Sequence, residues 1–194
     1  MKDTQVDDRK RSISVSGTAE QVRLAEWLAK ELDKPGLTEP SSHSSAAAAH
    51  RYVAGADDVV GLFHIQNAKT TQDFQEFATM LRSLTETRRT FTVNAPKVIA
   101  MPGTGEQIRL SEWLINELDQ PMQVPLASGG DPAVRAYTMS DPAPENPKLL
   151  PENDVRVFFF THTASIQEFQ EITTAIRSIT ETRRMFTPTP SARL

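Results

Sequence analysis

The residues of this chain best suited to chemistry are two pairs of arginines, Arg88–Arg89 and Arg183–Arg184. Each pair stands in the same setting, "SLTETRRTFT" from Ser83 to Thr92 and "SITETRRMFT" from Ser178 to Thr187. Adjacent guanidiniums could clamp a phosphate or a carboxylate, because each presents a planar fork of N–H donors. A clamp that catalyses also needs an acid, a base or a metal beside it. The four histidines, His43, His50, His64 and His162, have no metal-ligand spacing. His64 aligns with Phe159 in the other half of the chain, and replacement by hydrocarbon points to packing. There is no cysteine, which excludes disulfides and thiolate chemistry, and no Gly-rich phosphate loop. Glu20, Glu26 and Glu31 and their copies share a helix with Arg23 and Lys30 and read as a solvated face. The expectation is a protein without a catalytic centre, cofactor or metal.

Bulk charge narrows the partners. The formal net charge is −4, so no global field recruits nucleic acid or an acidic membrane. No apolar run approaches the ~20 residues of a membrane-spanning helix. The opening "MKDTQVDDRKRSISVSG" lacks the apolar core of a signal peptide. The chain is therefore expected to be either cytoplasmic or a form from which a signal has been removed.

The arginine pairs recur because the chain repeats itself. "GTAEQVRLAEWLAKELDKP" (Gly17–Pro35) matches "GTGEQIRLSEWLINELDQP" (Gly103–Pro121), 86 residues on. Val59–Thr92 matches Asp154–Thr187, 95 residues on. Between the matched blocks lie two long stretches rich in Ser, Ala, Gly and Pro, residues 36–56 and 122–151. They read as flexible connections. Each holds a short segment, Arg51–Val53 or Ala136–Met139, that could add an edge strand.

The elements follow from periodicity. "SISVS" and "VIAMPG" alternate as strands. Thr18 with Gln21, and Thr104 with Gln107, form capping boxes that start helices. One helix buries Val22, Ala25, Leu28, Ala29 and Leu32; its copy buries Ile108, Ser111, Leu114, Ile115 and Leu118. Pro35 and Pro121 stop them. A second type of helix carries Phe74, Phe77, Leu81 and Leu84, matched by Phe169, Ile172, Ile176 and Ile179. It follows a strand whose two faces are both apolar: Phe63 and Ile65 against Val60 and Leu62, and in the copy Phe158 and Phe160 against Val155 and Val157. Helices cover one face; the other needs the second lobe, another chain or the connections.

Residues 57–121 thus read as strand, helix, strand, strand, helix, a complete module. Residues 11–35 supply one strand and one helix, and residues 152–190 supply strand, helix and strand. The expectation is that head and tail join into a second, composite module, within one chain by effective concentration or between chains by strand exchange.

The run "VIAMPGTGEQIRLSEWLINELDQP" is similar to the N-terminal ring-building modules of bacterial secretins, on Gly103, Thr104, Glu106, Gln107, Ile108, Leu118, Asp119 and Pro121. The head repeats these as Gly17, Thr18, Glu20, Gln21, Val22, Leu32, Asp33 and Pro35. With "TRRxFT" and "EWL", the chain more closely resembles uncharacterised bacterial proteins built from the same repeat. The resemblance implies an α+β fold of two KH-like βαββα lobes, each a small three-stranded sheet with two helices on one face. It also implies protein assembly in the envelope, hence a periplasmic or exported protein, with a protein partner or self-association. A pore is not implied, since the secretin barrel domain has no counterpart. "GTGE" and "GTAE" lack the second glycine of a KH-type GxxG loop, so nucleic acid is not an expected partner.

Candidate interaction residues are therefore Arg88, Arg89, Arg183 and Arg184, with Trp27 and Trp113 at the border of the helical stripes, and Phe63 and Phe158 on the strands. In each arginine pair one guanidinium is expected to pack its stem over the sheet edge. The other is expected to reach Glu86 or Glu181, or a partner. The alternative is a binder of a small anionic ligand or nucleic acid through the paired arginines.

Overall fold

The computed structural model describes residues 4–7, 9–33, 50–54, 58–120, 133–139, 154–160, 165–180 and 185–186. The fold is mixed α+β, with four helices and antiparallel sheets among the described residues. At its centre is a four-stranded sheet in the order β3 (His50–Val53), β4 (Val59–His64), β6 (Val98–Gly103), β5 (Phe91–Val93). Two-stranded sheets stand at either end of the chain: β1 (Thr4–Asp7) with β2 (Ser12–Val15), and β7 (Ala133–Thr138) with β8 (Asp154–Phe159). β3 and β7 fall inside the stretches expected to be connections. β3 widens the central sheet from the expected three strands to four.

Strand alternation divides the central sheet into two apolar faces. Val59, Phe63, Ile99 and Met101 point to one face and are covered by α2 (Thr71–Thr85) and α3 (Gly105–Leu118). α2 contributes Phe74, Ala78 and Leu81; α3 contributes Ile108, Leu114 and Ile115. Leu62, Val98 and Ala100 point the other way, and α1 (Ala19–Leu32) covers them with Trp27, Leu28 and Leu32. The second apolar face of the central strand is thus covered by the head helix of the same chain.

Local rules set the helix starts. Thr18, Thr70 and Thr104 each accept from the backbone N–H three residues on, while Gln21, Asp73 and Gln107 accept from the cap N–H. The box at Thr70 with Asp73 is a third instance, beside the two legible from their glutamines.

The tail lies on the far side of α3. Tyr137, Met139, Val155 and Val157 pack against the core cluster that holds α3, and α4 (Ile166–Thr180) follows β8. The order of layers is therefore α1, central sheet, α2 with α3, and the β7–β8 pair. Among the described residues no strand of the head pairs with a strand of the tail: β2 pairs with β1 and β8 with β7.

The two end sheets copy the outer pairs of the central sheet, register included. Gln5↔Ser14, Val6↔Ile13 and Asp7↔Ser12 repeat Phe91↔Ala100, Thr92↔Ile99 and Val93↔Val98. Arg135↔Val157 and Tyr137↔Val155 repeat His50↔Leu62 and Tyr52↔Val60. Even the hairpin turn is copied: Arg11 and Lys97, 86 apart, hold φ of 51° and 50°. A left-handed conformation at a non-glycine residue is uncommon, so its recurrence marks one turn geometry used twice. The expected third strand of the tail falls largely outside the described residues, of which Met185 and Phe186 are assigned to no strand. β1 holds that place in the head.

Candidate interaction surfaces

The repeated "TETRR" junction is built on its threonines. Thr85 and Thr87 are buried. Thr85 Oγ1 donates to the Leu81 carbonyl at 2.7 Å, and Gln107 Nε2 donates to the Thr85 carbonyl at 3.0 Å. Glu86 caps α2 in the left-handed region at φ 56°. This turn throws Arg88 and Arg89 outward ahead of β5. Both are exposed, and among the described residues neither guanidinium forms a hydrogen bond or ion pair. Arg183 and Arg184 lie outside the described residues, as do Glu181, His43, His162, Pro35 and Pro121.

Trp27 and Trp113 serve a seam between layers, and the seam occurs twice. Trp27 on α1 meets Tyr52 on β3, ring centroids 5.5 Å apart at 44°. Trp113 on α3 meets Tyr137 on β7, 5.4 Å apart at 40°. A polar contact accompanies each: His50 Nδ1 to Glu31 at 2.8 Å, and Arg135 Nε to Glu117 at 3.4 Å. Glu31 and Glu117 are copies, 86 apart, as are the tryptophans. The tilted rings bury large area with favourable quadrupole geometry. So the way α1 sits on the central sheet is the way α3 sits on the tail sheet.

The second seam adds a polar lock. Glu106, 7 % exposed, accepts from the Tyr137 hydroxyl at 3.0 Å and from Arg109 Nε at 2.9 Å. Burial, then the hydrogen bond to Glu106, pushes the Tyr137 phenol above its ordinary pKa.

Equivalent positions differ sharply in burial. Phe63, Ile99 and Met101 are fully buried in the central module. Their copies are exposed: Phe158 49 %, Ile13 67 % and Val15 41 %. The helix copies behave alike. α3 buries Ile108, Ser111, Leu114 and Ile115, and α2 buries Phe74 and Leu81, whereas α1 and α4 bury no residue fully. Phe63 is out of reach of any partner, while Phe158 lies open.

The tail is not an identical copy on this face. Asp154 and Arg156 replace Val59 and Gly61. In the central module the Phe63 ring lies over Gly61, where a Cβ would come within 2.8 Å of it. Arg156 excludes that pose, and its guanidinium reaches Asp154 at 3.8 Å instead. Phe160 keeps its place, packing edge-on against Phe169 with centroids 5.6 Å apart.

The Asp of the Leu-Asp-x-Pro pattern was legible as a motif without its job. Asp119 accepts from the backbone N–H groups of Gln66 and Asn67 at 2.7 and 2.8 Å, and Asn67 Nδ2 donates back to its carbonyl. It ties the end of α3 to the turn after β4. Tyr52 and Tyr137 were also missed as functional residues. The signal was available, since each tyrosine follows its tryptophan by almost the same interval, 25 and 24 residues.

Among the described residues no group of three His, Asp or Glu side chains could hold a metal, and no helix is long and apolar enough to cross a membrane. The chain matches no protein-family model, no curated protein and no solved structure.

Proposed function

We propose that the chain is a non-enzymatic protein-assembly module, its units being KH-like lobes of the secretin N-domain kind. The observation that carries this reading is the exposure of Ile13, Val15 and Phe158, whose copies form a closed core. Fully burying each such side chain is worth ~1.5–3 kcal/mol. Apolar groups set out in register on two half-sheets favour a protein surface over a small ligand. Among the described residues no group of three His, Asp or Glu side chains that could hold a metal accompanies the exposed Arg88 and Arg89, which suit a charged contact with a protein partner. An envelope setting goes with the resemblance.

Sedimentation velocity over a wide concentration range, with a pull-down from cells, tests the proposal. Association with itself or with a protein partner is expected. A chain that stays monomeric and captures no protein contradicts it.

A further inference from the structure

We infer that the partner of the open ends is a second copy of this chain: the head sheet of one copy adds to the tail sheet of the next through a β2–β8 antiparallel pair. This inference rests on the assembly reading and names its occupant.

The central module is the template. Its sheet is two outer pairs, β3–β4 and β5–β6, joined by the β4–β6 ladder. The tail sheet copies the first outer pair and the head sheet the second, each in the same register. The joining ladder has no copy among the described residues. Among the described residues β8 and β2 pair only with β7 and β1, leaving on each the edge that makes the ladder in the central module. Moving the β4–β6 register by the repeat offsets gives Arg156↔Val15, Val157↔Ser14 and Phe158↔Ile13. The result is a four-stranded sheet in the order β7-β8-β2-β1. It brings Ile13 and Phe158 face to face under α1 and α4, as Ile99 and Phe63 meet under α3 and α2.

The layer order says why this ladder forms between chains. β2 leads into α1, which lies on the Leu62, Val98 and Ala100 face. The tail sheet lies beyond α3, on the opposite face. The central sheet and a helical layer stand between them, with layers spaced at about 10 Å. Closing within one chain would require α1 or the tail sheet to leave its Trp–Tyr seam. Between chains no seam is broken, and the stack of sheet and helix layers continues. The contact is heterologous, head to tail, so it builds rings or open filaments.

Asp154 and Arg156 make the new junction more polar than the central core. Desolvating them weakens the junction, and the long Arg156 stem can carry its charge out to water. Reversible association follows, in place of an obligate dimer.

Cysteine cross-linking tests the register, and the chain has no cysteine of its own. Ser14→Cys and Val157→Cys are made on separate chains, mixed and oxidised, and also combined in one chain. Directly opposed strand residues lie within disulfide reach. The mixture is expected to give a cross-linked dimer, and the double variant a ladder of higher species. Pairing Ser14→Cys with Tyr137→Cys, a position away from the ladder, should give at least tenfold less product. An internal bridge in a monomeric double variant overturns the inference in favour of closure within the chain. Association by sedimentation without the cross-link overturns this junction and leaves the assembly reading standing. Loss of both overturns both. Exposed-site variants guard against misfolding: Ile13→Arg and Phe158→Glu should each lower association at least tenfold with the circular dichroism spectrum unchanged, and wild-type association by either contradicts the inference.

Discussion

Phe63 and Phe158 occupy the same position of a repeated strand, yet one is wholly buried and the other 49 % exposed. The difference lies in what is beside them. Phe63 has β6 as its neighbour strand and shares its core with α2 and α3; among the described residues β8, which carries Phe158, pairs with β7 alone. Substituting each with alanine should separate the two roles. Phe63→Ala should cost roughly 3–5 kcal/mol, as for a large core cavity. Phe158→Ala should change the stability of the dilute chain by less than about 1 kcal/mol. Urea unfolding at low micromolar concentration reads both; equal costs would mean the tail face is already closed.

The "TETRR" junction makes a second comparison. Thr85→Val removes a buried hydroxyl that donates to the Leu81 carbonyl, and should cost about 0.5–1.5 kcal/mol. Arg88→Ala with Arg89→Ala should stay within about 0.5 kcal/mol of wild type, since both side chains are exposed. Thermal unfolding measures the two; a larger loss for the arginine variant would place them in the structural part after all.

Asp119 offers a test through pH. Burial raises its pKa, opposed by the hydrogen bonds from Gln66 and Asn67 and by Lys97. A folded pKa above the unfolded one means that its stabilising contribution is full below the unfolded carboxylate pKa. That contribution is lost as pH rises through the folded value. Wild type should therefore lose stability relative to Asp119→Asn as pH rises through the carboxylate range. A difference that is flat or grows with pH contradicts the sign.

Tyr137 titrates at the other end of the scale. Its phenol is held above the ordinary value of 10.0 by burial and by Glu106. The absorbance titration of wild type minus Tyr137→Phe should show its transition above pH 10, and Glu106→Gln should bring it down. By the same linkage, the stability that Tyr137 contributes is full below the unfolded phenol pKa and is lost as pH rises through the folded one.

Much of this organisation was written in periodicity. The helices at Thr18 and Thr104, the buried faces of α2 and α3, and the strands β4 and β6 all follow from capping boxes and apolar spacing. β1 did not: "TQVD" has a single apolar residue and owes its strand to pairing with β2. The place of α1 was also hidden, because a helix stripe does not say which of two apolar sheet faces it will cover. The Trp27–Tyr52 seam decides that, through partners separated by a long connection. Arg88 and Arg89 drew attention by type and repetition, but repetition served the threonines beside them.

The open ends can be tested by complementation. Ile13→Arg blocks the head and keeps the tail; Phe158→Glu blocks the tail and keeps the head. Each variant alone should sediment as a monomer at concentrations where wild type associates. Mixed in equal amounts they should form a dimer and nothing larger, since one junction remains available. A mixture that stays monomeric while wild type associates, or a single variant that associates as wild type does, would contradict head-to-tail completion of the repeated sheet.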